Sequence, residues 1–431
     1  MIASCLKINE KGHLEISGCD TVQLAEQYGT PLYVMSEDEI RSTCRRYVAS
    51  FAKNYNGHGK PIYASKAFSC KEIYRIVLSE GLDVEVVSGG ELYTALQAGV
   101  PGGQIHFQGN NKSTGELTMA LENNVGDIVV DNLSELKKLN AAAEEHNVVA
   151  PISFRIKPGI DAHTHEFIRT GQVDSKFGLD LANGEAMEAL RQAKEMDHIS
   201  VKGLHCHIGS QILEKAPFVH AAEVMLHFFA TVRDQLGMTF ETLNLGGGFG
   251  IHYTQQDDAI PYEEYMEAVS TMVHDKCREL GLELPKIYIE PGRSIVGEAG
   301  ITLYTVGNIK EIPGVRNYVA IDGGMFDNPR YALYQSAYTC LIANKADQPA
   351  AYTATIAGKC CESGDLIQEH TPIQKPEEGD ILAVLSTGAY NYSMASNYNR
   401  NLKPACVMVS QGKSRIIIKG ETYEDLVRND V

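Results

Sequence analysis

The chain has 431 residues, 44% of them hydrophobic, and this length exceeds the usual ceiling of one hydrophobic core, so two domains are expected. A formal net charge of -17 repels phosphate backbones and anionic lipid surfaces, which argues against nucleic-acid or membrane binding and for a small-molecule partner. Ten cysteines without framework spacing, with Cys360 and Cys361 adjacent, suit a reducing compartment and make the cytoplasm the expected location.

Residues 1–14 mix charges into their apolar positions and lack a signal-peptide core, and no later run has the length to cross a bilayer. The first 35 residues read as strand-rich, with Leu32-Tyr33-Val34-Met35 after Pro31, and are expected to pair with the C-terminal part of the chain. Apolar, β-rich runs then recur at 61–64, 83–87, 105–107, 127–130, 152–156, 203–206, 242–245 and 286–290. Helical patterns separate them, such as 131–139, where a capping residue precedes leucines at three-residue spacing, and 216–236. Several runs are too uniformly apolar to have a wet face, which indicates a parallel sheet. Eight strand–helix alternations predict an α/β fold built on a (β/α)8 TIM-like barrel.

After Glu290 the texture changes to short alternating strands broken by Gly, Pro and Asn, at 301–309, 318–321 and 381–385. This predicts an all-β C-terminal domain that also takes in the N-terminal strands. The expected boundaries are 36–290 for the barrel, and 1–35 with 291–431 for the β domain.

Lys66 closes the run Pro61-Ile62-Tyr63-Ala64-Ser65-Lys66-Ala67. On an alternating strand it would share a face with Ile62 and Ala64 and reach the mouth of the barrel. A partly desolvated lysine there is a candidate nucleophile; a lysine snorkelling from a strand end is the plainer reading. Barrel chemistry belongs in the loops after the strands, with phosphate after strands seven and eight. Strand seven leads into Leu245-Gly246-Gly247-Gly248-Phe249-Gly250, where several backbone N–H groups could approach one anion. Strand eight leads into Glu290-Pro291-Gly292-Arg293. An unpaired carboxylate at Glu290 would tend to take up a proton and wants a cationic partner, either a protonated pyridine nitrogen or a basic side chain such as Arg293. After strand six, His205-Cys206-His207-Ile208-Gly209-Ser210-Gln211 offers two histidines on one side, open to metal ligation, a structural role or stacking on a flat cofactor. Ser210 could add a hydroxyl to the phosphate. His163 and His165 sit in a polar loop that could bind metal or cover the site. In the second domain, Asp327-Asn328-Pro329-Arg330-Tyr331-Ala332-Leu333-Tyr334 offers a cation and a phenol. Gly358-Lys359-Cys360-Cys361-Glu362-Ser363-Gly364-Asp365 offers a thiol beside a carboxylate, and Gly388-Ala389-Tyr390-Asn391-Tyr392 another phenol.

Together, Tyr63-Ala64-Ser65-Lys66-Ala67, the His205 and Gly246 segments, Glu290-Pro291-Gly292-Arg293 and Cys361-Glu362-Ser363-Gly364-Asp365 resemble the fold-type III pyridoxal-phosphate decarboxylases over nearly the whole chain. Within that group Asp161-Ala162-His163-Thr164-His165-Glu166, Asp174-Ser175-Lys176-Phe177-Gly178 and Val87-Ser88-Gly89-Gly90-Glu91-Leu92 resemble the diaminopimelate decarboxylases rather than the ornithine or arginine enzymes. The resemblance implies pyridoxal 5'-phosphate as cofactor and no metal. It also implies an alanine-racemase-like barrel and a homodimer with active sites shared between subunits. Lys66 would be the Schiff-base lysine and His207 the ring-stacking histidine. Ser210, Gly246, Gly247, Gly248 and Gly250 would cradle the phosphate. Glu290 would meet the pyridine nitrogen, with Pro291, Gly292, Arg293 and Tyr390 also at the cofactor. Arg293, Arg330, Tyr334, Glu362 and Tyr390 would bind substrate, and Cys361 of the other subunit would donate a proton. Two positions depart from the family pattern: Phe68 stands where Asn usually follows Lys-Ala, and Glu85 where Asp more often precedes Val-Val-Ser.

The implied reaction converts meso-2,6-diaminopimelate into L-lysine and CO2, the last step of lysine biosynthesis. The rivals are a related decarboxylase of ornithine, arginine or carboxynorspermidine, a metal-dependent barrel hydrolase using His205 and His207, and a pyridoxal-phosphate carrier without turnover.

Overall fold

The computed structural model describes residues 3–160 and 175–431. The chain divides into two compact units, one of Met1–Ser42, Ile251–Asp258 and Arg293–Val431, the other of Thr43–Gly250 and Ala259–Gly292. The short segment Ile251–Asp258 belongs with the β-rich unit, although it lies inside the span 36–290 expected for the barrel. The boundary near residue 42 falls within the helix Glu37–Tyr55.

The second unit is a closed parallel barrel. Its strands are Gly59–Ala64, Asp83–Val86, Ile105–Phe107, Asp127–Val130, Ala150–Lys157, Ile199–Cys206, Thr242–Asn244 and Lys286–Ile289, each hydrogen-bonded to the next. Pairing of Ile287 with Gly59 and Ile289 with Pro61 closes the ring. The pair Leu179–Asp180 lies alongside the fifth strand. Uniform apolarity follows from this geometry: Ile62, Val84, Val86, Ile105, Phe107, Ile152, Phe154 and Leu204 are fully buried because helices cover the ring outside and side chains fill it inside.

The helices between strands start where the sequence supplies caps. Ser113 and Glu116 form a reciprocal capping box for Thr114–Glu122. Asn132 accepts the Glu135 N–H at the start of Leu133–Glu145, and Ser88 does the same for Glu91 at Gly89–Gln97. Gly237 and Gly281, at φ of 65° and 63°, end the two long helices Ala216–Leu236 and Tyr262–Leu280.

At the N-terminal ends of the first four barrel strands lies a buried charged network. Lys60 Nζ contacts Asp83 at 2.5 Å, and the ring of His106 sits 3.6 Å from Asp83 and 3.5 Å from Asp127. Burial lowers the pKa of this imidazole, but Asp127 and Asp83 outweigh burial and raise it to about 9. A cation whose pKa is raised on folding contributes stability in full below its unfolded value of 6.5, and loses that contribution as pH rises through about 9. Wild-type protein is therefore expected to lose about 3 kcal/mol of stability on this account between neutral and alkaline pH. Denaturant titrations at pH 7 and pH 10 check this, and a His106→Asn protein should lack that slope.

The first unit is mostly antiparallel. Its main sheet runs in the order Leu366–Ile373, Tyr352–Ala357, Arg316–Ile321, Gly300–Ile312, Leu32–Ser36, Ala405–Ser410, Lys413–Ile418. The N-terminal strand Leu32–Ser36 thus pairs with two C-terminal strands, antiparallel to Gly300–Ile312 and parallel to Ala405–Ser410. Long strand Gly300–Ile312 also pairs with Ile381–Val384 and so binds together two apolar clusters. One contains Leu14, Leu32, Val34, Leu303 and Val407, the other Tyr304, Val319, Ile356 and Leu382.

Candidate active site

The expected strand alternation does not carry through to Lys66. The first barrel strand ends at Ala64, and Ser65–Ala67 forms one 3-10 turn. Hydrogen bonds define that turn: Tyr63 Oη donates to Phe68 O at 2.8 Å, and Ser65 Oγ donates to Glu91 at 2.6 Å. Phe68 is buried and caps the turn, so the departure from Asn places an apolar side chain in the core. Lys66 is 40% exposed by side chain and lies 3.8 Å from Glu85, which is 1% exposed. Burial, together with the charge of Glu290, raises the Glu85 carboxyl to about 7 although Lys66 pulls it down.

Glu290, at the end of the eighth strand, is surrounded by donors. Asn244 Nδ2 donates to its Oε1 at 2.7 Å, Gln108 Nε2 donates to the same oxygen, and His205 Nε2 lies 3.3 Å from Oε2. Burial would raise the carboxyl, but His205, then Lys66 and His207, bring it down to about 2. The tendency to protonate expected of an isolated buried carboxylate is thereby reversed, because three polar side chains from strands three, six and seven converge on it. The side chains facing Glu290 inside the barrel are Gln108, His205 and Asn244.

His207 has a different partner from His205. Its Nδ1 accepts the Gly247 N–H at 3.3 Å. Burial, then the charges of Lys66 and Arg155, push its pKa well below 6.5, so the ring is neutral. Among the described residues, no group of three or more His, Cys, Asp and Glu could hold a metal ion. Asp161, His163, His165 and Asp174 lie outside the described residues.

The loops after strands six and seven are tied together. Ile212 N donates to Gly248 O at 2.9 Å and Gly250 N donates to Ile212 O at 3.0 Å, which places half-buried Ser210 beside the glycine run. Side chains do not fit here. A Cβ on Gly247 would stand 2.0 Å from Glu290 O, and one on Gly248, already at φ of 110°, 2.3 Å from Gly209 O. Gly292 lets the end of strand eight approach strand one, where Ala64 N donates to Pro291 O at 3.2 Å. A Gly247→Ala protein is expected to be about 1–3 kcal/mol less stable, the cost of overpacking against fixed backbone, as read by chemical denaturation. Lys66, His207, Ser210, the glycines, Glu290, Pro291 and Gly292 thus share the C-terminal rim of one barrel.

That rim has the donors and shape for pyridoxal phosphate: an amine, a neutral ring, a carboxylate held ionised, and a backbone cradle without Cβ atoms. Three of its members escaped the sequence reading. Gln108 and Asn244 are polar residues closing apolar strands, and Arg155 is a charge within one; each is a visible exception to its run. Arg155 stacks its guanidinium 4.2 Å over Phe177, and Asp131 accepts the Gly178 N–H at 3.0 Å, so the end of the long loop is fixed at both points.

In the β-rich unit, three of the expected substrate residues, Arg293, Arg330 and Tyr390, form a second group with Tyr253. Arg293 donates to the Tyr253 hydroxyl, and its guanidinium stands 4.7 Å over the Tyr390 ring. Arg330 lies 3.5 Å over the ring of Tyr253, a residue that no motif along the chain singles out. Tyr334 closes the short helix Arg330–Tyr334 and is half-buried. Cys361 and Glu362 are exposed on a loop anchored by Asp365, which accepts the N–H groups of Met325 at 2.6 Å and Cys360 at 2.7 Å. Cys361 N also donates to Asn399 at 2.7 Å.

The family described as pyridoxal-dependent decarboxylase, pyridoxal binding domain, matches residues 37–297. The chain is 49% identical to the diaminopimelate decarboxylase of Bacillus subtilis, covering 98% of this chain and 96% of that one. Its identity to the Bacillus methanolicus enzyme of the same name is 50%, covering 96% and 95%. A crystal structure of diaminopimelate decarboxylase from M. jannaschii in complex with L-lysine matches with a TM-score of 0.93 at 37% identity, covering 99% of this chain and 98% of that one. The rim built from Lys66, His207, the glycine run and Glu290, and a likeness that extends over both units, lead to one conclusion: the chain belongs to the diaminopimelate decarboxylase family of pyridoxal-dependent decarboxylases.

Proposed function

We propose that the protein removes CO2 from meso-2,6-diaminopimelate to give L-lysine, the closing step of lysine biosynthesis. The observation that carries this reading is the ionised Glu290 at the barrel rim, shared with Lys66, neutral His207 and a glycine cradle. Pyridoxal phosphate supplies an electron sink for the pair released from the Cα–carboxylate bond. Glu290 would keep a proton on the ring nitrogen, and His207 would offer the uncharged face of an imidazole. Lys66 would hold the cofactor covalently, with Glu85 nearby to take or return its proton. Backbone N–H groups of Gly246, Gly247, Gly248 and Gly250 and the Ser210 hydroxyl would hold the phosphate.

Arg293 and Arg330 would clamp substrate carboxylate, which a guanidinium meets with two parallel hydrogen bonds. Tyr334 and Tyr390 would line the same site, and Glu362 would read the distal ammonium. The exposure of Cys361 and Glu362 supports a homodimer in which Cys361 from the partner subunit donates the proton to Cα. Among the described residues no helix is long and apolar enough to cross a membrane, in keeping with a cytoplasmic enzyme.

The test is to supply the purified, pyridoxal-phosphate-loaded protein with the diaminopimelate isomers, ornithine, arginine and carboxynorspermidine in turn. L-lysine release from the meso isomer is expected; polyamine release without lysine would replace this reading with that of a related decarboxylase.

A further inference from the structure

We propose that Tyr253 is a positioning residue that joins Arg293 and Arg330 into one two-guanidinium clamp and so sets the affinity of the site for carboxylate. This rests on the reading of the two arginines as carboxylate binders.

Tyr253 follows the glycine-rich loop and is 2% exposed. Its backbone is tied on both sides: its N–H donates to Asp257 at 2.9 Å, and its carbonyl accepts from Thr339 Oγ1 at 3.0 Å. The ring of Tyr338 packs on it edge-on, with centroids 5.6 Å apart at 77°. The direction of the phenol is therefore fixed before any ligand arrives.

The two electron-rich parts of that phenol meet two different cations. Its face receives the Arg330 guanidinium, 3.5 Å from the centroid, and its oxygen accepts a hydrogen bond from Arg293. The Arg293 guanidinium carbon lies 5.6 Å from the same centroid. Two guanidinium groups held this close, with Arg330 buried, repel each other. A negative ring face and a phenol oxygen offset that repulsion and fix both planes. Each guanidinium carries five donors, and the Tyr253 hydroxyl accepts from one of Arg293's. The buried Tyr55 turns its hydroxyl to a backbone carbonyl, Pro285 O at 3.0 Å, whereas that of Tyr253 meets a guanidinium.

The experiment uses holoenzyme carrying Tyr253→Phe or Tyr253→Leu. Competitive inhibition is measured with L-lysine, which has a carboxylate, and with 1,5-diaminopentane, which is the same chain without it. KM and kcat for diaminopimelate are recorded alongside. Tyr253→Phe keeps the ring under Arg330 and loses the acceptor for Arg293, so L-lysine should bind about three- to tenfold more weakly. Tyr253→Leu removes both contacts and should cost about ten- to a hundredfold. Diaminopentane affinity should hold in both variants, and KM should rise by a larger factor than kcat falls. Unchanged L-lysine affinity in the Phe and Leu proteins overturns the proposal, as does an equal loss for both inhibitors, which would reveal a packing role alone. Arg293→Gln and Arg330→Gln serve as the control on the underlying reading: if these also bind L-lysine like wild type, the arginines are not carboxylate binders. If they weaken binding while the Tyr253 variants do not, only the role of Tyr253 fails.

Discussion

Replacing Lys66 with alanine is expected to lower turnover by about 10³-fold or more, the scale on which a positioned proton-transferring or covalent group contributes. The visible absorbance of cofactor bound through an amine should vanish with it. The fold should survive, because Lys66 is 40% exposed and the turn that carries it is held by Tyr63, Ser65 and Glu91. One further consequence concerns Glu85. Lys66 lowers the pKa of this buried carboxyl more than Arg155 does, so in the Lys66→Ala protein Glu85 should hold its proton to a higher pH than the value of about 7 in the wild type. Absorbance spectra, circular dichroism and single-turnover assays on the same preparation separate these effects. Retention of both the visible band and activity would assign the covalent role to another lysine.

The Glu290→Gln protein should fail differently. Glutamine keeps the volume and an acceptor for Asn244 Nδ2, yet carries no charge to hold a proton on a ring nitrogen. A drop in kcat of about 10²–10³-fold is expected, as for removal of one preorganised electrostatic partner. Stability should change far less than rate, since the substitution removes a buried charge and leaves the hydrogen-bonded acceptor in place. The pH dependence has a definite sign. The Glu290 carboxyl is lowered on folding from 4.5 to about 2, so its contribution to stability is complete above the unfolded value and is lost only as pH falls through about 2. A wild-type activity profile that declines on the acid side between neutrality and pH 5 must therefore come from another group, and Glu85 is the candidate. If Glu290→Gln turned over diaminopimelate at the wild-type rate, the pairing of Glu290 with the cofactor nitrogen would be refuted.

Much of this was legible along the chain. Eight apolar runs gave the barrel because a strand covered on both faces must be apolar throughout, and that pattern is local. The capping residue ahead of the leucines in 131–139 marked a helix start for the same reason: it acts within one turn of itself. Lys66, His207, the Gly246 segment and Glu290 could be picked out because each sits at the end of a strand, and barrel strands all end on one rim. Pairing of Leu32–Ser36 with strands near 300 and 405 could be anticipated only in outline, since strand partners hundreds of residues apart leave no mark on their own sequence.

The kind of residue at each strand end, and hence the chemistry available, is written in the order of the amino acids. Tertiary structure alone decided the charge those residues carry and the company they keep. Glu290 is ionised because Gln108, His205 and Asn244, drawn from strands three, six and seven, meet at one point inside the barrel. His207 is neutral because burial and two nearby cations disfavour a further charge. Lys66 left the strand alternation because a 3-10 turn was closed by Tyr63 and Ser65. Protonation and orientation depend on distances between groups far apart in the chain, and such distances exist only once the chain has folded.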